Sequence, residues 1–216
     1  AKLHEWKNNR TQKMKKIVIL SLSILMTLFL SSSAITKDNL FSYFDDKQFL
    51  TAKFVQKTSL DSKERIINGI IKATRKGSFK LEYLKPIRET ISADENFFYK
   101  LDLDLDQMDV VPREQYFRDT PINIFISDIE DLKMFYLVDY CEKENGVYTC
   151  SLTPKDRNSF IDNLYLTFKN NELNLLGYKD SFGQIVSIEF DEISWEDFDQ
   201  SELKIAIPEG IDVVYH

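Results

Sequence analysis

Histidine and cysteine are scarce in this 216-residue sequence, with two of each, and the histidines stand at positions 4 and 216. That leaves no material for a His-based triad or a multi-His zinc site inside a folded core. No Gly-x-Ser-x-Gly elbow and no Gly-x-x-x-x-Gly-Lys-Ser/Thr loop occurs, so neither a hydrolase nucleophile turn nor a nucleotide cradle is encoded. What is present is 43% apolar, 13% aromatic and 29% charged residues, the composition of a globular protein of one domain or two small ones.

The N-terminus reads as an export signal. Lys13, Met14, Lys15 and Lys16 precede an apolar run at 17–30, which is followed by Ser31, Ser32, Ser33 and Ala34. As a helix the run would span about 21 Å, against roughly 30 Å for the hydrocarbon core of a bilayer, which disfavours a permanent anchor. Cleavage is expected after Ala34, giving residues 1–34 as extension and signal peptide and 35–216 as the working domain. No cysteine directly follows the apolar run, so a lipid anchor on the mature chain is not expected.

Removing residues 1–34 takes six basic side chains from 28 and one acidic side chain from 35, which leaves a net charge of about −12 at neutral pH. A surface of that sign repels phosphate backbones and anionic headgroups, so nucleic acid is not an expected partner.

The cysteines carry a structural statement. Asn145-Gly146 lies midway between Cys141 and Cys150, and Asn-Gly is the favoured two-residue type I′ hairpin turn. Counting outward, 144 and 147 close the hairpin and 141 faces 150 in a non-hydrogen-bonded pair, where Cα atoms come to about 4.5 Å. A Cys141–Cys150 disulfide is expected, in keeping with an oxidising compartment, with two free thiols as the other reading.

Past residue 47 the chain runs in short segments of period-two alternation or β-branched and aromatic enrichment, which predicts antiparallel β structure. Candidate strands are 48–58, 65–74, 78–84, 95–101, 105–111, 134–142, 147–152, 161–169, 172–179, 184–192 and 203–207. The alternation through 97–106 is too long for one strand of about 5–6 residues, so a turn is expected near Asp102-Leu103-Asp104. Two helices are predicted. Over 38–46, Asp38 caps a face of Leu40, Phe41 and Phe44; at Thr120-Pro121 a cap residue precedes proline at the first helical position, leading into Ile122, Ile124, Phe125 and Ile126. These short helices carry more apolar surface than they can bury on themselves, so they must cover something. From the residues alone, a filled sandwich or barrel core accounts for this as well as a cavity does.

Six local motifs occur in one order. They are Phe54-Val55-Gln56-Lys57; Gly77-Ser78-Phe79 with Lys85-Pro86; Asp102-Leu103-Asp104-Leu105-Asp106-Gln107; Thr120-Pro121; Leu152-Thr153-Pro154-Lys155; and Ile207-Pro208-Glu209-Gly210-Ile211-Asp212-Val213-Val214. From about residue 38 onward the chain resembles the outer-membrane lipoprotein carrier proteins, the LolA family, which carry these motifs in this order behind a signal peptide. The resemblance implies a mainly β fold with some helix: an incomplete, half-closed antiparallel β-barrel of about 11 strands, covered by lid helices. It also implies a periplasmic chaperone, without enzymatic activity or cofactor, acting as a monomer. Such a chaperone takes acylated lipoproteins from an inner-membrane ATP-driven release complex and passes them to an outer-membrane lipoprotein receptor.

Residue by residue, the resemblance places Phe44 on the first helix and Ile122, Ile124 and Phe125 on the lid. Phe54, Phe79, Leu81, Tyr83, Phe97 and Tyr99 fall on strands expected to line the cavity. Lys85 stands where the family usually has an arginine that hydrogen-bonds lid carbonyls, and lysine lacks the planar fork that makes such a latch firm. The Phe-x-Trp that commonly follows the proline is replaced by Glu89-Thr90-Ile91. Two other classes remain: a lipid-sensing interaction domain of the same half-barrel in envelope-stress signalling, and a hydrolase using the carboxylates of Asp102, Asp104 and Asp106. Alternate carboxylates beside a turn more often make a solvated face.

Overall fold

The structure, a computed structural model, describes residues 34–84, 86–113 and 120–216. From Ile35 onward it is built on a single sheet of twelve strands. In chain order these are β1 (Phe49–Leu60), β2 (Lys63–Thr74), β3 (Phe79–Tyr83), β4 (Glu89–Ala93), β5 (Phe97–Asp102) and β6 (Gln107–Pro112). They continue with β7 (Tyr136–Glu144), β8 (Val147–Pro154), β9 (Ile161–Lys169), β10 (Glu172–Asp180), β11 (Ile185–Ser194) and β12 (Asp212–Tyr215). The spatial order is β12-β6-β5-β4-β3-β2-β1-β11-β10-β9-β8-β7. The two ends, β12 and β7, do not meet, so the barrel is incomplete.

Turn chemistry sets most of this order. Asp61-Ser62, Asn145-Gly146 and Asn170-Asn171 all have positive φ at both positions, the type I′ geometry that matches strand twist. They join β1 to β2, β7 to β8 and β9 to β10. The Asn145-Gly146 hairpin pairs Glu144 with Val147 and Cys141 with Cys150, and the expected disulfide is formed across a Cα separation of 4.0 Å. Asp102 turns the chain as expected: its carboxylate accepts from the Asp104 and Leu105 amides, ending β5 before β6 begins. Bulges between Thr51 and Lys53 against β11, and between Val138 and Tyr140 against β8, add local bend to the sheet.

The concave face carries the main core. Leu50, Ala52 and Phe54 alternate inward on β1, and Leu164, Leu166 and Phe168 do so on β9. Above them lie a 3-10 turn at Phe41–Phe44 and two short helices, α1 (Asn123–Ile126) and α2 (Ile129–Phe135). Leu40, Phe44, Ile124 and Leu132 are fully buried against the sheet. The helix predicted over 38–46 is only the 3-10 turn at Phe41–Phe44, the one predicted from Thr120-Pro121 begins at Asn123 as α1, and neither uses the expected cap. The Asn39 carboxamide, not Asp38, accepts the Thr36 amide. Thr120 contributes its carbonyl to Asn123 N while its hydroxyl makes no hydrogen bond.

Three expectations are corrected. Glu89–Ala93 is a strand that the sequence hides, because Ile91 is its only large apolar residue and one apolar position gives no period. The chain at 203–207 is not a strand. Asp199 caps a 3-10 turn at Gln200–Leu203, and the segment crosses the outer face, with Ile205 and Ile211 packing on Leu101, Met108 and Val110. The chain then returns as β12, which pairs with β6 in parallel, so the sheet is not wholly antiparallel.

Candidate functional site

Between the concave face and α1 lies a cavity of ≈ 240 Å³. Its floor is Phe54 on β1, Ile71 on β2 and Leu81 on β3; Leu176 on β10 with Ile188 and Phe190 on β11 form one wall. Ile91 and Phe98 form the opposite wall, and Pro121, Ile122 and Phe125 close the top. The period of two explains how one stretch feeds both core and cavity: Phe54 follows the buried Ala52 and Leu81 the buried Phe79, while on the antiparallel β11 Ile188 precedes Phe190, the partner of Phe54.

Phe54 owes its position to a glycine. It pairs across the ladder with Gly69, and a Cβ on Gly69 would lie 2.3 Å from the Phe54 ring and 2.8 Å from the Glu82 carbonyl. Only the bare backbone lets the ring lie flat over β2, where it meets Tyr83 edge-on at 5.9 Å between centroids.

The lid is held by Arg75, which sits at the β2–β3 turn and is buried at 6% exposure. Its Nε donates to the Lys47 carbonyl at 2.9 Å, Nη1 to the Ser127 carbonyl at 2.6 Å and Nη2 to the Ile124 carbonyl at 3.3 Å. Ile124 lies in α1 and Ser127 is its C-cap, so the planar fork ties the lid to the sheet. The guanidinium also lies 5.1 Å from the Phe44 ring centre. Burial pushes its pKa down to about 10, against the pull of the Asp128 and Asp45 carboxylates, so it remains a cation at neutral pH.

The polar groups on the wall are few. Tyr83 and Tyr178 are pushed up to about 12, mainly by burial, with Glu89 adding to the shift at Tyr83 and Asp180 at Tyr178. Glu89 pairs with Lys100 at 3.0 Å on the same face, one strand position beyond Ile91. Gln56 donates to Thr58 at 3.3 Å.

Of the residues that the sequence singles out, Phe54, Phe79, Leu81, Tyr83, Ile122 and Phe125 line the cavity. Phe44 and Ile124 are fully buried beside it, and Phe44 meets Phe125 at 6.5 Å between ring centroids. Phe97 and Tyr99 face the other way: Phe97 is 40% exposed, and Tyr99 donates to the Asp94 carboxylate and joins the outer cluster. Their neighbour Phe98 faces inward instead, a one-residue register error made possible by three consecutive aromatics and an outer face with its own apolar cover. Lys85 lies outside the described residues. Reasoning from the sequence missed Arg75, whose only signal is an arginine closing an apolar strand before a glycine turn. It also missed Ile71, Ile188 and Phe190, which alternation along β2 and β11 would have given once the facing was known. Asp102 and Asp104 serve the turn, with Asp104 bonded to Arg88 at 2.6 Å, and no acidic, histidine or cysteine cluster fit for a metal occurs among the described residues.

An open sheet curled about a lidded, carbon-lined hollow is the architecture of a carrier for apolar guests. The family model described as outer membrane lipoprotein carrier protein LolA matches residues 46–206, and the chain belongs to that family of non-enzymatic carriers. It is 29% identical to the outer-membrane lipoprotein carrier protein of Neisseria meningitidis serogroup B over 185 residues, covering 85% of this chain and 89% of that one. It is 30% identical to the protein of that name from Pseudomonas fluorescens over 207 residues, covering 93% and 99%. Among solved structures it is similar in fold to an uncharacterized conserved protein from Thermus thermophilus, with TM-score 0.54, 11% identity and coverage of 83% and 98%.

Proposed function

We propose that this protein is a periplasmic lipoprotein chaperone. It encloses acyl chains of lipoproteins released by an inner-membrane ATP-driven complex and delivers them to an outer-membrane receptor. The observation that carries this reading is the apolar hollow roofed by α1, which Arg75 ties to the sheet, in a chain of the LolA family. The need is physical: each methylene exposed to water costs about 0.8 kcal/mol, so a long acyl chain costs on the order of 10 kcal/mol to carry bare through water. The hollow of ≈ 240 Å³ is smaller than typical ligand pockets of roughly 300–1,000 Å³. Loading therefore requires the lid to swing away, and two lid states give cargo an equilibrium to bias.

The test is release of lipoprotein from inner-membrane vesicles supplied with ATP and the release complex. A soluble complex of this protein with acylated lipoprotein, and its onward transfer to outer-membrane vesicles, supports the reading. Equal recovery of a lipoprotein stripped of its acyl chains defeats it.

A further inference from the structure

The cavity is more than a greasy hole, because residues with hydrogen-bond donors stand among its lining and one buried hydroxyl there has no partner. Tyr83 on β3 and Tyr178 on β10 both line it, half-buried, with their hydroxyls among its few polar groups. Thr120, at the head of the lid, lines the same hollow and its hydroxyl is buried with no hydrogen-bond partner. Gln56 adds a carboxamide whose only described bond, to Thr58, is long. A pure hydrocarbon guest would strip water from all of these groups and satisfy none, which is unfavourable.

The shared property of the set is donation. Hydroxyl and carboxamide hydrogens call for an acceptor, and the acceptor that an acyl chain brings is its carbonyl. The charge around them excludes one form of it. Glu89 is 16% exposed at its side chain and acts on Tyr83, so a carboxylate entering there meets like charge as well as burial. Lys100 pairs with Glu89 at 3.0 Å, so its charge is already offset.

Resting on the carrier reading, we infer that Tyr83, Tyr178 and Thr120 form a polar collar that reads the neutral carbonyl of an ester- or amide-linked acyl chain. The cavity thus selects acyl esters and amides over alkyl ethers and over free fatty acids. Sites built to hydrogen-bond a guest discriminate strongly against analogues that leave their buried polar groups unpaired.

The test uses the purified protein and three probes of one chain length: monopalmitoylglycerol, its 1-O-hexadecyl ether and palmitate, each competed against a fluorescent acyl probe. The ester is expected to bind about 10-fold tighter than the ether, the size of one to two net hydrogen bonds, and tighter than palmitate. Tyr83→Phe with Tyr178→Phe should bring ester and ether affinities together; Thr120→Val, which keeps the side-chain shape, should narrow the gap by itself. Melting curves identify any variant that fails to fold, and the wild-type comparison of ester with ether stands without the variants. Equal affinities for ester and ether in the wild type overturn the collar while leaving the carrier reading in place. Palmitate binding as tightly as the ester overturns the exclusion of anions. Binding of none of the three overturns the carrier reading and the collar with it.

Discussion

Replacing Arg75 with methionine separates the lid from the sheet while filling most of the same volume. Two of the three guanidinium bonds end on α1 and its C-cap, at the Ile124 carbonyl (3.3 Å) and the Ser127 carbonyl (2.6 Å). Hydrogen bonds to charged groups contribute about 1.5–3 kcal/mol each, and the longer bond belongs at the bottom of that range. Part of the sum is offset because the buried cation no longer has to be desolvated. A net loss of about 2 kcal/mol from the closed state remains, roughly a 30-fold shift toward the open lid at 1.4 kcal/mol per factor of ten. Hydrogen exchange reads this directly at Phe125 and Ser127, whose amides bond to Ile122 and Asn123 within the lid. Their exchange should accelerate about 30-fold, while amides of β9 keep their protection. Unchanged lid exchange, or equal acceleration throughout the molecule, would show that Arg75 supports the fold and does not latch the lid.

Gly69→Ala should destabilise the protein by about 1–3 kcal/mol through overpacking. Because the clash is chiefly with the Phe54 ring, a double-mutant cycle with Phe54→Ala in chemical denaturation should recover part of the loss, and strict additivity would contradict the placement of that ring. Breaking the Cys141–Cys150 bond, which closes a loop of sequence separation 9, should lower stability by at most about 2.5 kcal/mol, since the type I′ turn already orders the hairpin. Unfolding of the Cys141→Ala, Cys150→Ala variant at room temperature would refute a merely local role. Tyr83 and Tyr178 hold their protons to about 12, whereas in the unfolded chain they lose them near pH 10. Stability should therefore fall as pH rises through the window from about 10 to about 12. Tyr99, also pushed up to about 12, and Tyr43, pushed up as well, share the late region, so a tyrosinate absorbance titration should show a late step reduced in amplitude by two tyrosines in the double phenylalanine variant, and an unchanged late step would contradict their burial.

The hairpins were legible because turn chemistry is local. Asn145-Gly146 fixed the register of Cys141 on Cys150 through a count of residues, and Asp102 announced its turn. Facing was legible where polar residues alternate with apolar ones, as along β1, and illegible at Phe97-Phe98-Tyr99, where both faces are apolar because the segment carrying Ile205 and Ile211 packs on the outer one. β12 was hidden for another reason: four residues pairing in parallel with β6 from across the chain leave no local signature. Arg75 was missed on similar grounds. Lys85 was singled out by a motif beside a proline, whereas Arg75 reaches the lid through contacts separated by 49 and 52 residues in sequence. Long-range hydrogen bonds to backbone carbonyls select no residue type on the receiving side, so nothing at 124 or 127 points back to 75.

The account stands on the hollow between sheet and lid being the seat of an acyl chain, and photochemical crosslinking tests that most directly. A lipopeptide carrying a diazirine near the end of its acyl chain would be bound, irradiated and mapped by mass spectrometry. Adducts are expected on Phe54, Leu81, Ile188 and Phe190 inside the cavity and on Ile122 of the lid. Adducts confined to the outer face around Met108 and Ile205, or none above the level of a non-acylated control, would contradict it.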